Sequence, residues 1–138
     1  MNRDEPATQG QVNGVWEGLE LTRHMAETAA RSAAEMFAKD VVIIDLREAV
    51  SYTDYFVIAS AETERQTRRI TDEVLEKMNE MGYKRRSRRV DEGSAWISLD
   101  FLDVVVHIFT NEARDYYRLE SLWRSAPQER WEEQIRRV

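Results

Sequence analysis

Leu21, Met25, Ala29, Ala33 and Phe37 recur every four residues and form one apolar stripe, which predicts a helix from about Leu19 to Ala38. The stripe is mostly of small residues, so this helix can lie close to a sheet. Two β-branched runs follow, Val41 to Leu46 and Tyr55 to Ala59. Continuous apolar runs of this length suit strands buried on both faces. Thr63-Glu64-Arg65-Gln66 then has capping-box spacing, in which a Thr hydroxyl and a Gln side chain satisfy free amides at a helix start. Ile70, Val74, Met78 and Met81 mark the buried face of that helix. Gly82 stands where a left-handed residue would end it.

Tyr83 to Val90 is too charged for a central strand and is predicted as an edge strand or a loop. Ala95 to Phe101 and Val104 to Thr110 are two clear strands around Leu102-Asp103, and a two-residue loop there would make them an antiparallel hairpin. From about Asn111 the chain is helical in short pieces broken at Pro127. Residues 1–18 hold three of the five glycines and one of the two prolines, which marks them as a mobile tail. The expected organisation is therefore a flexible tail over 1–18, one domain over 19–127, and a C-terminal extension over 128–138. That extension is expected to be an amphipathic helix or a frayed end around Trp131, packed within the chain or at a dimer contact. The order α-β-β-α-(β)-β-β-α predicts a single α/β domain with a mixed sheet of about five strands and helices on both faces.

With Leu102-Asp103 as the loop, Phe101 lies opposite Val104, Leu99 opposite Val106, and Ile97 opposite Ile108. These six residues form a purely apolar face that must be core. The other face pairs Trp96 with Phe109, Ser98 with His107, and Asp100 with Val105. It has two readings. One is a second core layer under a helix, with His107 hydrogen-bonded to Asp100 or Ser98. The other is a partly exposed patch whose aromatic residues anchor a partner, because such rings bury large area at little entropic cost.

Composition narrows the function. The length of 138 residues, with 42% hydrophobic and 33% charged content, allows one domain with a real core and excludes disorder throughout. The absence of cysteine removes disulfides, thiolate catalysis and Cys-based zinc sites. No apolar run approaches the roughly 18 residues of a membrane span. The polar, acidic start argues against a secretory signal or an Arg-rich transit peptide, so a cytoplasmic location and no membrane partner are expected. A net charge of −6 disfavours generic nucleic-acid binding, DNA included, and suits a basic protein partner as well as simple solubility.

Asp45, Asp54, Asp100, Asp103 and His107 could form a metal or acid–base cluster. However, there is no Gly-Ser helix entry followed by an Asp-x-Asp pair, and carboxylates at strand ends are more often turn and cap residues. No metal or other cofactor is expected. His24, beside Arg23 and Glu27, is expected to be solvated. Lys84, Arg85, Arg86, Arg88 and Arg89 form the one strong local charge signal. They mark either a charged edge protected against sheet-to-sheet pairing or a contact with RNA phosphates.

Three stretches carry a family resemblance. Thr53-Asp54-Tyr55-Phe56-Val57-Ile58 is one. Trp96 to Phe109 is the second, with the pattern Trp-x-x-x-Asp-x-x-Asp-Val-x-Val-His-x-Phe. Glu112 to Trp123 is the third, with Glu-x-Arg-x-x-Tyr-x-Leu-Glu-x-Leu-Trp. In order and spacing they resemble the Iojap-like family of ribosomal silencing factors over about Leu21 to Pro127. Two departures stand out. Leu102 replaces a usual glycine, at a turn where a left-handed leucine is unfavourable, and Ala61 replaces a common glycine before the second helix. The resemblance implies a nucleotidyltransferase-like fold without that activity. It also implies a site for ribosomal protein uL14 on the large subunit, blockage of small-subunit joining when nutrients are limiting, and a homodimer when free. The partner-binding residues it implies are Trp96, Asp100, Phe101, Asp103, His107, Arg114, Tyr117 and Glu120. The runner-up function is a divalent-metal-dependent nucleotidyltransferase-like enzyme.

Overall fold

The computed structural model describes residues 11–12, 15–16 and 18–131 of the chain. Strands β1 (Gln11–Val12) and β2 (Val15–Trp16) pair antiparallel. The stretch expected to be a mobile tail thus carries a short strand pair. Asn13-Gly14 between two valines is a hairpin-forming sequence, and residues 1–10 lie outside the described ones.

Helix α1 (Gly18–Glu35) leads into β3 (Lys39–Asp45), β4 (Tyr55–Ala61) and helix α2 (Glu64–Glu80). Strands β5 (Ser87–Asp91), β6 (Trp96–Asp100) and β7 (Val104–Thr110) follow. Helix α3 (Asn111–Tyr117), a 3₁₀ turn over Leu119–Trp123 and strand β8 (Gln128–Arg130) complete the described chain. Strands β3 to β8 form one sheet in the order β5-β6-β7-β4-β3-β8, with β4 and β7 parallel and every other neighbour antiparallel. The sheet is mixed, as its alternation of elements predicts, with six strands where about five were expected.

The sixth strand is β8, which corrects the helical reading of 128–130. Ala126 precedes a proline and is driven toward extended geometry. The chain then runs along the edge of β3, pairing Gln128 with Ile44 and Arg130 with Val42. Asp45 N–H donates to the Pro127 carbonyl and Trp131 N–H to that of Val41, each at 2.9 Å. Trp131 thereby enters the core at 5% exposure. Residues 132–138 lie outside the described ones.

The helix ends show the same physics with and without glycine. Thr63 Oγ1 accepts from Gln66 N–H at 3.1 Å, and Gln66 Oε1 accepts from Glu62 N–H at 2.9 Å, so the predicted box forms one residue wider than the standard pattern. Gly82 ends α2 at φ +86, with Tyr83 N–H donating to the Met78 carbonyl and Gly82 N–H to that of Asn79. Helix α1 closes with the same pair of bonds, Ala38 to Ala33 and Phe37 to Ala34, but Phe37 holds the left-handed position at φ +66. Phe37 therefore turns outward, 78% exposed, and Ala38 enters the core in its place. This corrects its assignment to the buried stripe.

The hairpin has the predicted register, from Trp96 opposite Phe109 to Asp100 opposite Val105. Leu102 accepts φ +78 at the turn, where the Asp100 carboxylate takes its N–H at 2.7 Å. Ile97, Leu99, Phe101, Val104, Val106 and Ile108 are all buried, as the alternation requires. They join Val41, Ile43, Val57 and the inner sides of α1 and α2 in one core layer. His24 of α1 is part of that packing. It is half-buried, with Nδ1 2.6 Å from the Tyr83 hydroxyl, which corrects the expectation of a solvated imidazole. A second layer, Val42, Ile44, Leu46, Phe56, Ile58 and Phe109, lies on the opposite face under α3 and the 3₁₀ turn.

Because Trp131 seals one edge of the first layer, Trp131→Ala should lower the unfolding free energy by about 3–5 kcal/mol. Urea titration checks this. A loss below about 1 kcal/mol would mean that β8 frays in solution.

Candidate partner-binding site

The second sheet face carries a run of rings. His107 and Phe56 meet edge-on at 4.6 Å between centroids, and Phe56 meets Trp123 at 6.3 Å. Trp96 stacks on Phe109 at 4.9 Å and leans on Tyr117 at 4.7 Å, and Tyr117 meets Tyr116 at 5.0 Å. The rings pass from fully buried Phe109, through half-buried Trp96, to Tyr117 and Tyr116, which are 43% and 80% exposed. This face is covered only in part. Beneath α3 it is core, and at Trp96 and the two tyrosines it opens to solvent.

Helix α3 sets that boundary. Thr110 at the end of β7 caps it, its Oγ1 accepting from Ala113 N–H at 3.1 Å. Arg118 closes it in a left-handed conformation, donating its N–H to the Arg114 carbonyl at 2.9 Å. The helix is only seven residues long, so Tyr117 projects at the rim rather than over the sheet.

Trp96 is held by His107. The indole Nε1–H donates to His107 Nδ1 at 3.1 Å. This acceptor role requires a neutral imidazole with its proton on Nε2. The hydrogen bond goes to Trp96, not to Asp100 or Ser98 as the sequence suggested. Burial pushes the His107 pKa down to about 4.

The eight predicted residues fall into three groups. Trp96, His107 and Tyr117 form the aromatic cluster. Asp100, Phe101 and Asp103 sit at the hairpin tip, where Phe101 is buried and the two carboxylates are half-exposed. Burial and then the nearby Asp54 carboxylate push the Asp103 pKa up. Arg114 and Glu120 form the third group, an ion pair at 2.7 Å. The same guanidinium donates to the Asp40 carbonyl and to Ser60 Oγ, both at 2.7 Å. Arg114 therefore ties α3 to β3, β4 and the 3₁₀ turn, a scaffold role. Lys84, Arg85, Arg86, Arg88 and Arg89 are all exposed along β5 and the segment before it. Sequence reasoning missed Tyr116 and Leu122, exposed at 80% and 72%. Only the brevity of the last helical pieces hinted at their exposure.

Two of the aspartates considered for metal chemistry are engaged elsewhere. Asp45 takes Arg47 through both oxygens, at 2.9 and 2.7 Å, and this bonding pulls its pKa down. Asp100 caps the turn. Among the described residues no three His, Cys, Asp or Glu side chains converge as a metal site would need.

A histidine whose folded pKa lies below its unfolded value stabilises the fold above about pH 6.5. That contribution is lost as pH falls toward 4, because only the unfolded chain takes up the proton there. Wild-type stability should therefore drop by about 3 kcal/mol between pH 6.5 and 4 from this group alone. Urea unfolding of wild type and His107→Gln across that range checks it, and identical slopes for the two would defeat the assignment.

A family model described as ribosomal silencing factor during starvation matches residues 20–137. A ribosomal silencing factor from Bacillus subtilis is 30% identical over 105 residues, covering 76% of this chain and 89% of that one. A mouse protein named mitochondrial assembly of ribosomal large subunit protein 1 is 33% identical over 94 residues, covering 62% of this chain and 39% of its own length. A crystal structure of a protein from Chromobacterium violaceum superposes with a TM-score of 0.71 at 26% identity, covering 74% of this chain and 85% of that one. With the family pattern spanning the whole sheet and both core layers, the chain belongs to the family of ribosomal silencing factors.

Proposed function

We propose that the chain represses translation when nutrients are limiting, by docking on ribosomal protein uL14 of the large ribosomal subunit and excluding the small subunit from the surface it occupies. The observation that carries this reading is the family match over residues 20–137. The mouse relative's name, which refers to the ribosomal large subunit, supports the choice of subunit. The reading extends to a cytoplasmic location and a homodimer when free, both implied by the resemblance.

The geometry supports a binding role without bond chemistry. Tyr117 and Trp96 form a preorganised aromatic edge, braced from below by Phe109 and His107. A braced ring loses little entropy on docking and excludes water over a large area. The acidic balance of the chain, −6, favours approach to a basic ribosomal protein. Asp100 at the end of β6 and Asp103 in the turn after it add half-exposed carboxylates at the tip of the hairpin that carries Trp96.

Purified large and small subunits mixed with the chain should show fewer joined particles on a sucrose gradient, with the chain co-migrating with the large subunit. Tyr117→Ala leaves the sheet intact and removes the exposed ring. It should weaken binding to isolated uL14 by about 1.4 kcal/mol or more, a tenfold loss. Unchanged subunit joining at saturating protein would overturn the exclusion reading.

A further inference from the structure

We propose that β5 and the segment leading into it, Lys84 to Arg89, bind the phosphate backbone of RNA. This rests on the ribosomal reading above, since a ribosomal surface presents RNA beside protein. Lys84, Arg85, Arg86, Arg88 and Arg89 are all exposed, and among the described residues none meets a carboxylate. Arg23, Arg47, Arg114 and Arg130 each hold an acidic partner within 3.0 Å. In a chain of net charge −6, the densest run of cations thus holds no ion-pair partner among the described residues.

Strand geometry distributes these charges. Arg88 lies opposite Leu99 and Arg89 opposite Ser98, so the two point to opposite faces of the sheet. The register is anchored just before the strand, where Arg86 N–H donates to the Asp100 carbonyl at 2.6 Å. The cations therefore straddle a free sheet edge. On the aromatic face, Arg89, Trp96 and Ser98 line a notch of about 220 Å³. A guanidinium fork beside a hydroxyl suits a phosphate oxygen pair there.

Protection of the edge against aggregation explains a charge or two, not five in six positions. An acidic protein strand added to the edge is the competing occupant. Its backbone could pair only along β5, which begins at Ser87. Lys84, Arg85 and Arg86 lie before that point. A polyanion that needs no backbone pairing can engage the whole run, and four of the five cations are arginines, the better match to phosphate.

The test uses the full chain, a variant with serine at positions 84, 85, 86, 88 and 89, and a second variant with lysine at the four arginine positions. Circular dichroism melts establish that each folds. Binding to purified large subunits is measured over a potassium chloride series, and binding to a labelled 30-nucleotide RNA is measured beside it. Each phosphate contact contributes a log–log salt slope of about 0.7–0.9. The serine variant should therefore show a slope shallower by up to about 3.5–4.5 and lose RNA binding, while the lysine variant keeps the wild-type slope. Equal slopes for wild type and serine variant would overturn the proposal. So would an equal loss of affinity of the serine variant for the isolated ribosomal protein partner, which would identify an acidic protein surface as the occupant. Wild type that binds the RNA but not the subunits would sink the proposed function while leaving this inference standing, and wild type that binds neither sinks both.

Discussion

The parallel pairing of β4 with β7 constrains the rest of the molecule. Seven matched positions, from Tyr55 opposite Val104 to Ala61 opposite Thr110, join two strands buried on both faces. Parallel neighbours cannot be joined by a tight turn, so the chain must leave the sheet through α2 and return by way of β5 and β6. The pairing also brings the carboxyl ends of both strands to one side. There Ser60 and Thr110 serve the same short helix: Thr110 caps α3, and Ser60 Oγ takes the Arg114 guanidinium that projects back from it. The position of α3, and with it the exposure of Tyr117 and Tyr116, follows from that register.

Much of this was legible in the sequence because period-2 alternation is unforgiving. A one-residue slip of the hairpin would have driven Trp96, Ser98 and Asp100 into the layer that holds Ile97 and Leu99, so the register could be read before any turn was known. Gly82 was legible for a similar reason, since a helix end at φ +86 favours a residue without Cβ. Phe37 meets the same backbone demand in α1 with no glycine to announce it. Strand β8 was not legible either. Gln128-Glu129-Arg130 has no apolar pattern, and it becomes a strand only because β3 offers an unpaired edge and Trp131 a place in the core. Of the candidate site, the residue types came from the resemblance and the pairing from alternation. The division into a ring cluster, a hairpin tip and the Arg114 scaffold depends on side-chain directions that no one-dimensional pattern carries.

His107 illustrates why the division matters. A motif histidine in a family stretch invites a role at a partner surface or in proton transfer. Here its ring is buried, its Nδ1 is occupied by an indole N–H, and burial holds it neutral through the physiological range. Its contribution reaches the solvent-exposed edge only through Trp96, whose plane it fixes from the side while Phe109 fixes it from beneath. The same logic applies to Arg114, whose charge is spent on Glu120, Ser60 and the Asp40 carbonyl. Residues of this kind brace the exposed rings and the short helix from within.

Two surfaces of opposite chemistry then lie one strand apart. The aromatic edge belongs to β6, β7 and α3, the cationic run to β5, and Trp96 and Arg89 share the notch where they meet. A docking protein that works by occupancy has to fix its orientation as well as its affinity, because a pivoting body leaves room for a competitor. One hydrophobic anchor permits rotation about itself. A second attachment of different chemistry, displaced across the sheet, removes that freedom at small cost, since phosphate contacts position a body without demanding sequence. On the proposed docking, the paired strands between the two surfaces would let two modest contacts act as one oriented attachment.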